Sequence, residues 1–398
     1  MEGLELLVPR VVAWEVTRAC PLACIHCRAE AQHTPDPHQL TTQEGLALLA
    51  DIAAMGGPTI VILTGGEPLT RPDIFDLLRF GSQQGLHMAV SPDDGRLLTP
   101  ETVARLKAAG ARRVSFSLHY PTAEDNDRFA RTPGAFAAAM EGLANLRAGE
   151  LPFQINTTVT CRNVDKLPQL LTLVRSLEPV AWDLFFLVPT GRAAQMVDDE
   201  MPPEQYEQTL NWLYDLRAKS ALPVKQTCAP QFRRLERQRA NGSSGGRPPD
   251  TPDDGHHYHP GSGGDNGSSG GRPPDTGAHG ATPPFSGSRR HDSSSRGCLC
   301  GNGFCFVSHV GEVQGCGYLP LSAGNVRERR FSEIYRSSSL FAELRDVKAL
   351  KGKCGVCEYR QLCGGCRARA YAVSGDYLGE EPHCVYEPRR HLSAAGTR

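Results

Sequence analysis

Three cysteines within eight residues, Cys20, Cys24 and Cys27 in TRACPLACIHC, limit what this chain can become more than any other feature. They follow an apolar run of strand character, Val11–Thr17, so they belong to the loop at that strand's C-terminal end. Three thiolates on one short loop can ligate three irons of a four-iron cluster and leave the fourth iron open to a bidentate small molecule. The competing readings are a zinc site short of one ligand and three unrelated thiols. The chain of 398 residues has fourteen cysteines, nine of them between Arg296 and Arg390. Disulfides persist mainly in oxidising compartments, and MEGLELLVPRVVAW lacks the order of a signal peptide. A cytoplasmic, metal-binding protein is therefore expected.

Up to about residue 230, short apolar runs alternate with helical patterns, as in a parallel sheet with crossover helices. Strands are expected at Val11–Thr17, Thr59–Thr64, His87–Ser91, Arg113–Leu118, Phe153–Thr160 and Val180–Val188. Helix starts are legible between them: Thr41 with Glu44 has the spacing of a capping box, and Thr99 precedes Pro100 at a first helical position. Runs such as TIVILT suggest burial on both faces. Six strand–helix repeats predict an α/β domain, either an incomplete (β/α)6 barrel or an open doubly wound sheet, with its chemistry at the strands' C-terminal ends.

Residues 241–295 differ in kind, since NGSSGGRPPDT at Asn241–Thr251 recurs at Asn266–Thr276 amid Gly, Ser, Pro and Asp. Such a segment cannot bury enough apolar surface to offset its chain entropy, so a disordered linker is expected. Its His256–His259 stretch is read as solvated sequence rather than a metal site. A net charge of −1 offers no field to attract nucleic acid or anionic lipid, and no apolar run approaches the roughly 20 residues of a membrane span. A small molecule or a peptide is the expected substrate.

Thr64-Gly65-Gly66-Glu67-Pro68 ends the second expected strand, and glycines there let backbone approach a ligand closely. Together with the three-cysteine loop, this resembles the radical SAM superfamily, in which the open iron binds S-adenosyl-L-methionine (SAM). The resemblance implies that Gly65, Gly66 and Glu67 meet the SAM ammonium, and that Ser117 and Thr158 approach SAM from the fourth and fifth strands. Two departures stand out. Asp94-Gly95-Arg96 replaces the Asn-Gly-Thr of related sequences, and Ala130 followed by Arg131 takes the place of a usual arginine.

The C-terminal cysteines, with Gly311-x4-Cys316 and then Cys354, Cys357, Cys363, Cys366 and Cys384, resemble the SPASM extension of radical SAM maturases. By order, the resemblance implies two auxiliary 4Fe-4S clusters, one on Cys298, Cys305, Cys316 and Cys366, the other on Cys354, Cys357, Cys363 and Cys384. Cys300 is an alternative to Cys298. A zinc ribbon is the other reading of this segment. Cys161 and Cys228 are left as small apolar fillers, although Cys228, in QTCAP at an expected strand end, is open to a role at the substrate pocket. The domains expected are a radical SAM barrel at 1–240, the linker at 241–295, a SPASM-like domain at 296–390 and a tail at 391–398.

AWEVTRACPLACIHCRAEA at Ala13–Ala31, LVPTGR at Leu187–Arg192 and the stretch from Gly303 to Cys384 are similar to the haem synthase family of the sirohaem-dependent pathway. That similarity implies oxidative decarboxylation of two propionates of Fe-coproporphyrin III to vinyl groups, with electrons from a ferredoxin or flavodoxin type donor. Arg192, Arg367 and Arg369 are candidate partners for propionates, since guanidinium binds carboxylate bidentately. The alternative substrates are another tetrapyrrole or a ribosomal peptide.

Overall fold

The computed structural model describes residues 7–243 and 296–389. Beyond residue 243, the repeated segment with its His256–His259 stretch lies outside the described residues, as does the tail 391–398. Seven parallel strands run side by side in chain order: β1 (Val11–Thr17), β2 (Ile60–Gly65), β3 (His87–Val90), β4 (Arg113–Ser117), β5 (Phe153–Val159), β6 (Ala181–Phe186) and β7 (Val224–Thr227). The first six match the expected strands to within two residues. The seventh was not counted among the six repeats, although Cys228 was placed at a strand end.

Between the strands lie α1 (Thr42–Ala54), α2 (Ile74–Gln83), α3 (Pro100–Ala108), α4 (Ala123–Ala130), α5 (Ala135–Ala148), α6 (Leu167–Ser176) and α7 (Pro203–Lys219), with α8 (Gln231–Ser243) following β7. Their starts are fixed locally. Thr41 and Glu44 form a reciprocal capping box at α1, and Thr99 caps α3 with Pro100 in its first turn. The inward faces of these helices, with Leu48, Leu77, Leu143 and Leu170, cover Trp14, Leu63, Val114 and Trp182 on one face of the sheet.

On the other face Ala13, Ile62, Arg113, Gln154 and Asp183 line a cavity instead of packing under a layer of helices. The expectation that the strands are buried on both faces is therefore corrected. Ile60 and Ile62 in TIVILT are only half-buried, because the sheet curls into a half-barrel whose concave side stays open. An open doubly wound sheet, which needs helices on both faces, is excluded.

The cysteine-rich segment joins this same sheet. Its first strand, β8 (Phe304–Val307), pairs in parallel with the free edge of β1, from Val11 opposite Phe304 to Trp14 opposite Val307. Then β9 (Glu312–Cys316) and β10 (Leu319–Asn325) continue it antiparallel, giving ten strands. The chain then returns to the far side of the cavity, where Arg369 donates to the carbonyls of Phe186 and Leu187 after β6. One concavity is thus walled by both ends of the sequence.

Candidate functional site

The loop after β1 is held by hydrogen bonds from several directions. Its two ends clasp each other, with Cys20 N donating to Gln32 O at 2.8 Å and Gln32 N to Arg18 O at 2.9 Å. From LVPTGR, Arg192 N donates to Cys27 O (3.0 Å), while its guanidinium donates to Cys24 O (3.0 Å) and Ala31 O (2.9 Å). Gly191 makes this approach possible. Its φ is +63°, and a Cβ there would collide with the Arg28 carbonyl. Gly191→Ala is expected to destabilise the loop by at least about 1–2 kcal/mol, read as a lower unfolding midpoint and reduced iron occupancy of this loop. An unchanged midpoint and iron content would show that Arg192 does not brace the loop.

Cys20, Cys24 and Cys27 pack around one another with Leu22 and Ala31. Burial pushes the Cys20 thiol up to about 12 and the Cys24 thiol higher still, so free thiolates are disfavoured here. Metal coordination removes that penalty. The sulfurs already receive backbone donors, Leu22 N to Cys20 Sγ at 3.4 Å and Ala31 N to Cys27 Sγ at 3.5 Å.

Gly65 and Gly66 run directly beneath this loop and line the cavity. Gly66 N donates to Thr17 O, and a Cβ on Gly66 would strike the Ala19 carbonyl, so only glycine lets the two backbones lie this close. Glu67 is placed differently from its expected role. It is fully buried and does not line the cavity, and its carboxylate accepts from Leu69 N (2.9 Å), Asp93 N (2.8 Å) and Asp94 N (2.9 Å). Burial nevertheless lifts its carboxyl to about 8.

Asp93, which sequence reasoning passed over, does face the cavity, as Asp183 of β6 also does. Burial raises its carboxyl to about 6 against the hydrogen bonds from Ser117, and its Oδ1 has no hydrogen-bond partner. It interacts electrostatically with Cys20 and Cys24. His26, stacked on Phe129 at 4.4 Å, offers a second orphaned polar atom, Nδ1, on the same wall. Ser117 and Thr158 both line the cavity, as the resemblance implied. Arg131 is exposed at the end of α4, while Ala130 lines the wall. An acceptor without a donor, a glycine cradle and three clustered thiols together fit a cluster-bound molecule carrying an ammonium group.

The cavity has a volume of about 580 Å³, within the range of small-molecule and cofactor sites. Its wall also carries Cys298, Cys316 and Cys366, and with them Cys228 and Cys300. Cys305 is not among them. Side chains alternate along a strand, so while Phe304 and Phe306 face the cavity, Cys305 points to the other face, fully buried and near Arg345. Its expected place beside Cys298, Cys316 and Cys366 is thus corrected.

The other expected set does converge: Cys354, Cys357, Cys363 and Cys384 surround one small cavity, with Arg234, Lys353 and Arg360 on its rim. Backbone donors again reach the sulfurs, from Tyr359 N, Gly365 N and Glu381 N at 3.4–3.5 Å. Among the described residues no group of His, Cys, Asp or Glu is drawn together around a single ion.

Residues 14–174 match the model of the radical SAM superfamily, and residues 298–367 match SPASM, an iron–sulfur cluster-binding domain. The AdoMet-dependent heme synthase of Methanosarcina barkeri is 43% identical over 380 residues, 96% of this chain and 97% of that protein. The chain belongs to the radical SAM family. Within it, the chain shares a family with that heme synthase, and at 28% identity it is also related to the Fe-coproporphyrin III synthase of M. barkeri, over 94% of this chain and 87% of that one. In fold it resembles Streptococcus suis SuiB bound to its precursor peptide, with a TM-score of 0.69 at 13% identity over 97% of this chain and 78% of that one. Radical SAM and SPASM domains carry 4Fe-4S clusters and bind SAM. Among the described residues, no helix is long and apolar enough to cross a membrane.

For this radical SAM chain, two of the three arginines proposed for propionates are corrected. Arg367, fully buried, donates to the carbonyls of Gly365, Tyr377 and Gly379. Arg369, also fully buried, pairs with Glu381 and Glu200. Neither lines the cavity. Arg192 does, but its guanidinium is engaged by the first loop. The cations on the concave face are instead Arg113 of β4 and Lys225 of β7, with Arg28 near Phe306.

Proposed function

We propose that this enzyme oxidatively decarboxylates two propionates of Fe-coproporphyrin III to vinyl groups, giving haem b. The observation that carries this reading is 43% identity with AdoMet-dependent heme synthases along almost the whole chain. A large cavity with both cysteine groups on its walls and cations on its strand face agrees with it.

Cys20, Cys24 and Cys27 would hold the SAM-binding cluster, Cys354, Cys357, Cys363 and Cys384 an auxiliary cluster, and Cys298, Cys316 and Cys366 a second one facing the cavity. When bound, the first cluster and SAM supply a deoxyadenosyl radical. Gly65 and Gly66 admit the methionine portion. Asp93 accepts from its ammonium, while Glu67 fixes the loop that carries Asp93. Ser117 and Thr158, which line the same cavity, would contact the remainder of SAM. Arg113 and Lys225 pair with propionates and turn the porphyrin toward the first loop. Loss of a hydrogen atom from a propionate β-carbon, then of carbon dioxide and one electron, leaves the vinyl group. A cluster held by the cavity-facing cysteines would accept that electron. Reducing electrons come from a ferredoxin or flavodoxin type donor.

Anaerobic turnover with SAM, reductant and Fe-coproporphyrin III tests the proposal. One SAM is consumed per vinyl group, a monovinyl intermediate appears transiently, and deuterium from the propionate β-carbons is found in deoxyadenosine. SAM cleavage with all four carboxylates retained would instead point to another tetrapyrrole or a peptide.

A further inference from the structure

Five thiols from outside the SAM loop, not four, line the cavity: Cys228, Cys298, Cys300, Cys316 and Cys366. Four of them come from the cysteine-rich segment. Cys228 does not, for it follows β7 in the barrel, on the other side of the segment 244–295 in sequence. Its thiol interacts with those of Cys366 and Cys316, whereas Cys300 interacts chiefly with Cys316.

The backbone at Cys228 is unusual in a way that a filler residue would not require. Its φ is +61°, a left-handed conformation that side chains with a Cβ rarely adopt. Of the five non-glycine residues with positive φ among the described residues, it is the one that lines the cavity. Two donors hold the strained unit in place, since Tyr206 Oη and Arg369 Nη1 both donate to Cys228 O at 3.0 Å. Arg369 comes from the segment just after Cys366 and is fully buried, so the clamp ties Cys228 and Cys366 together from behind. Strain that persists because its surroundings enforce it marks functional positions. Here it turns a barrel thiol toward the thiols of the C-terminal segment.

We propose that Cys228 is the fourth ligand of the auxiliary cluster carried by Cys298, Cys316 and Cys366, in the position that sequence order gave to Cys305. The inference rests on the proposal that those three residues hold a cluster. On coordination the Cys228 thiol releases its proton to solvent and binds iron as thiolate, so the cluster joins the barrel directly to the C-terminal segment. Cys300, which approaches Cys316 as Cys228 approaches Cys366, is the competing fourth ligand, and the variants below separate the two.

The test compares full-length variants, reconstituted anaerobically, by iron and sulfide content and by electron paramagnetic resonance of the reduced protein. Cys228→Gly removes the thiol while relieving the backbone, so a purely structural role predicts an unchanged or more stable protein. The proposal predicts a loss of roughly four irons and of one cluster signal, with circular dichroism unchanged. Cys228→Ser keeps the same signal at shifted g-values or loses it, whereas Cys305→Ala and Cys300→Ala keep wild-type content. Wild-type iron and signals in Cys228→Gly, while Cys366→Ala loses a cluster, would overturn the role of Cys228 alone. Wild-type iron in Cys366→Ala as well would overturn the auxiliary cluster itself.

Discussion

Replacing any one of Cys20, Cys24 and Cys27 by alanine is expected to reduce SAM cleavage to background. The loop has three thiolates and no fourth cysteine, and His26 within it is stacked against Phe129. With two thiolates, the loop cannot retain a cluster whose remaining iron is free for SAM. The measurement is deoxyadenosine formed by anaerobically reconstituted protein under strong reductant. Wild-type-like yield from any of the three variants would sink the assignment. The triple variant also isolates the C-terminal cysteines, and should still carry roughly eight irons with matching sulfide if both auxiliary sites fill. One zinc and no sulfide would restore the zinc ribbon.

The strands and helix starts were legible because local signals and burial agree there: β1 to β6 each place one apolar face under a helix, and the caps of α1 and α3 are local chemistry. The concave face was not legible. Arg113, Gln154, Asp183 and Lys225 are polar positions on strands, and only the curl of the sheet tells which way they point. β7 is four residues long with Lys225 and Gln226 inside it, too short and polar to announce itself.

In the C-terminal segment, attention to cysteine order hid the strand. Had FCFV been read as β8, its period of two would have turned Cys305 away from Phe304 and Phe306. Arg367 and Arg369 resembled carboxylate binders because sequence does not show a buried backbone carbonyl waiting for a donor. Asp93 was overlooked because Glu67, in the family's motif, drew the role, yet the acidic pair Asp93-Asp94 just past β3 is a signal available in the sequence.

The second large effect is expected at Glu15, to which the sequence reading gave no role. It sits in β1, fully buried, five residues before Cys20. Its carboxylate joins Arg18 (3.0 Å), Arg28 in the cluster loop (3.0 Å) and His309 of the C-terminal segment (2.8 Å), and His309 reaches on to Asp36 (3.1 Å). Burial alone would push this carboxyl upward, but the His309 hydrogen bond and the two arginines outweigh it and hold it at about 2. Against the ordinary value of 4.5, that corresponds to roughly 3 kcal/mol of native stability. Because the folded-state value is depressed, the contribution is complete above pH 4.5 and is lost as pH falls through about 2. Glu15→Gln keeps the shape but leaves Arg28 and His309 facing a neutral amide, so a loss of about 3–5 kcal/mol is expected at pH 7. The loss should fall on the junction of barrel, cluster loop and C-terminal segment, lowering the unfolding midpoint and first-loop iron together, while the distant site of Cys354 and Cys384 keeps its iron. An unchanged midpoint in Glu15→Gln would mean that the arginines find water or other partners, and that this buried ion network does not hold the SAM loop.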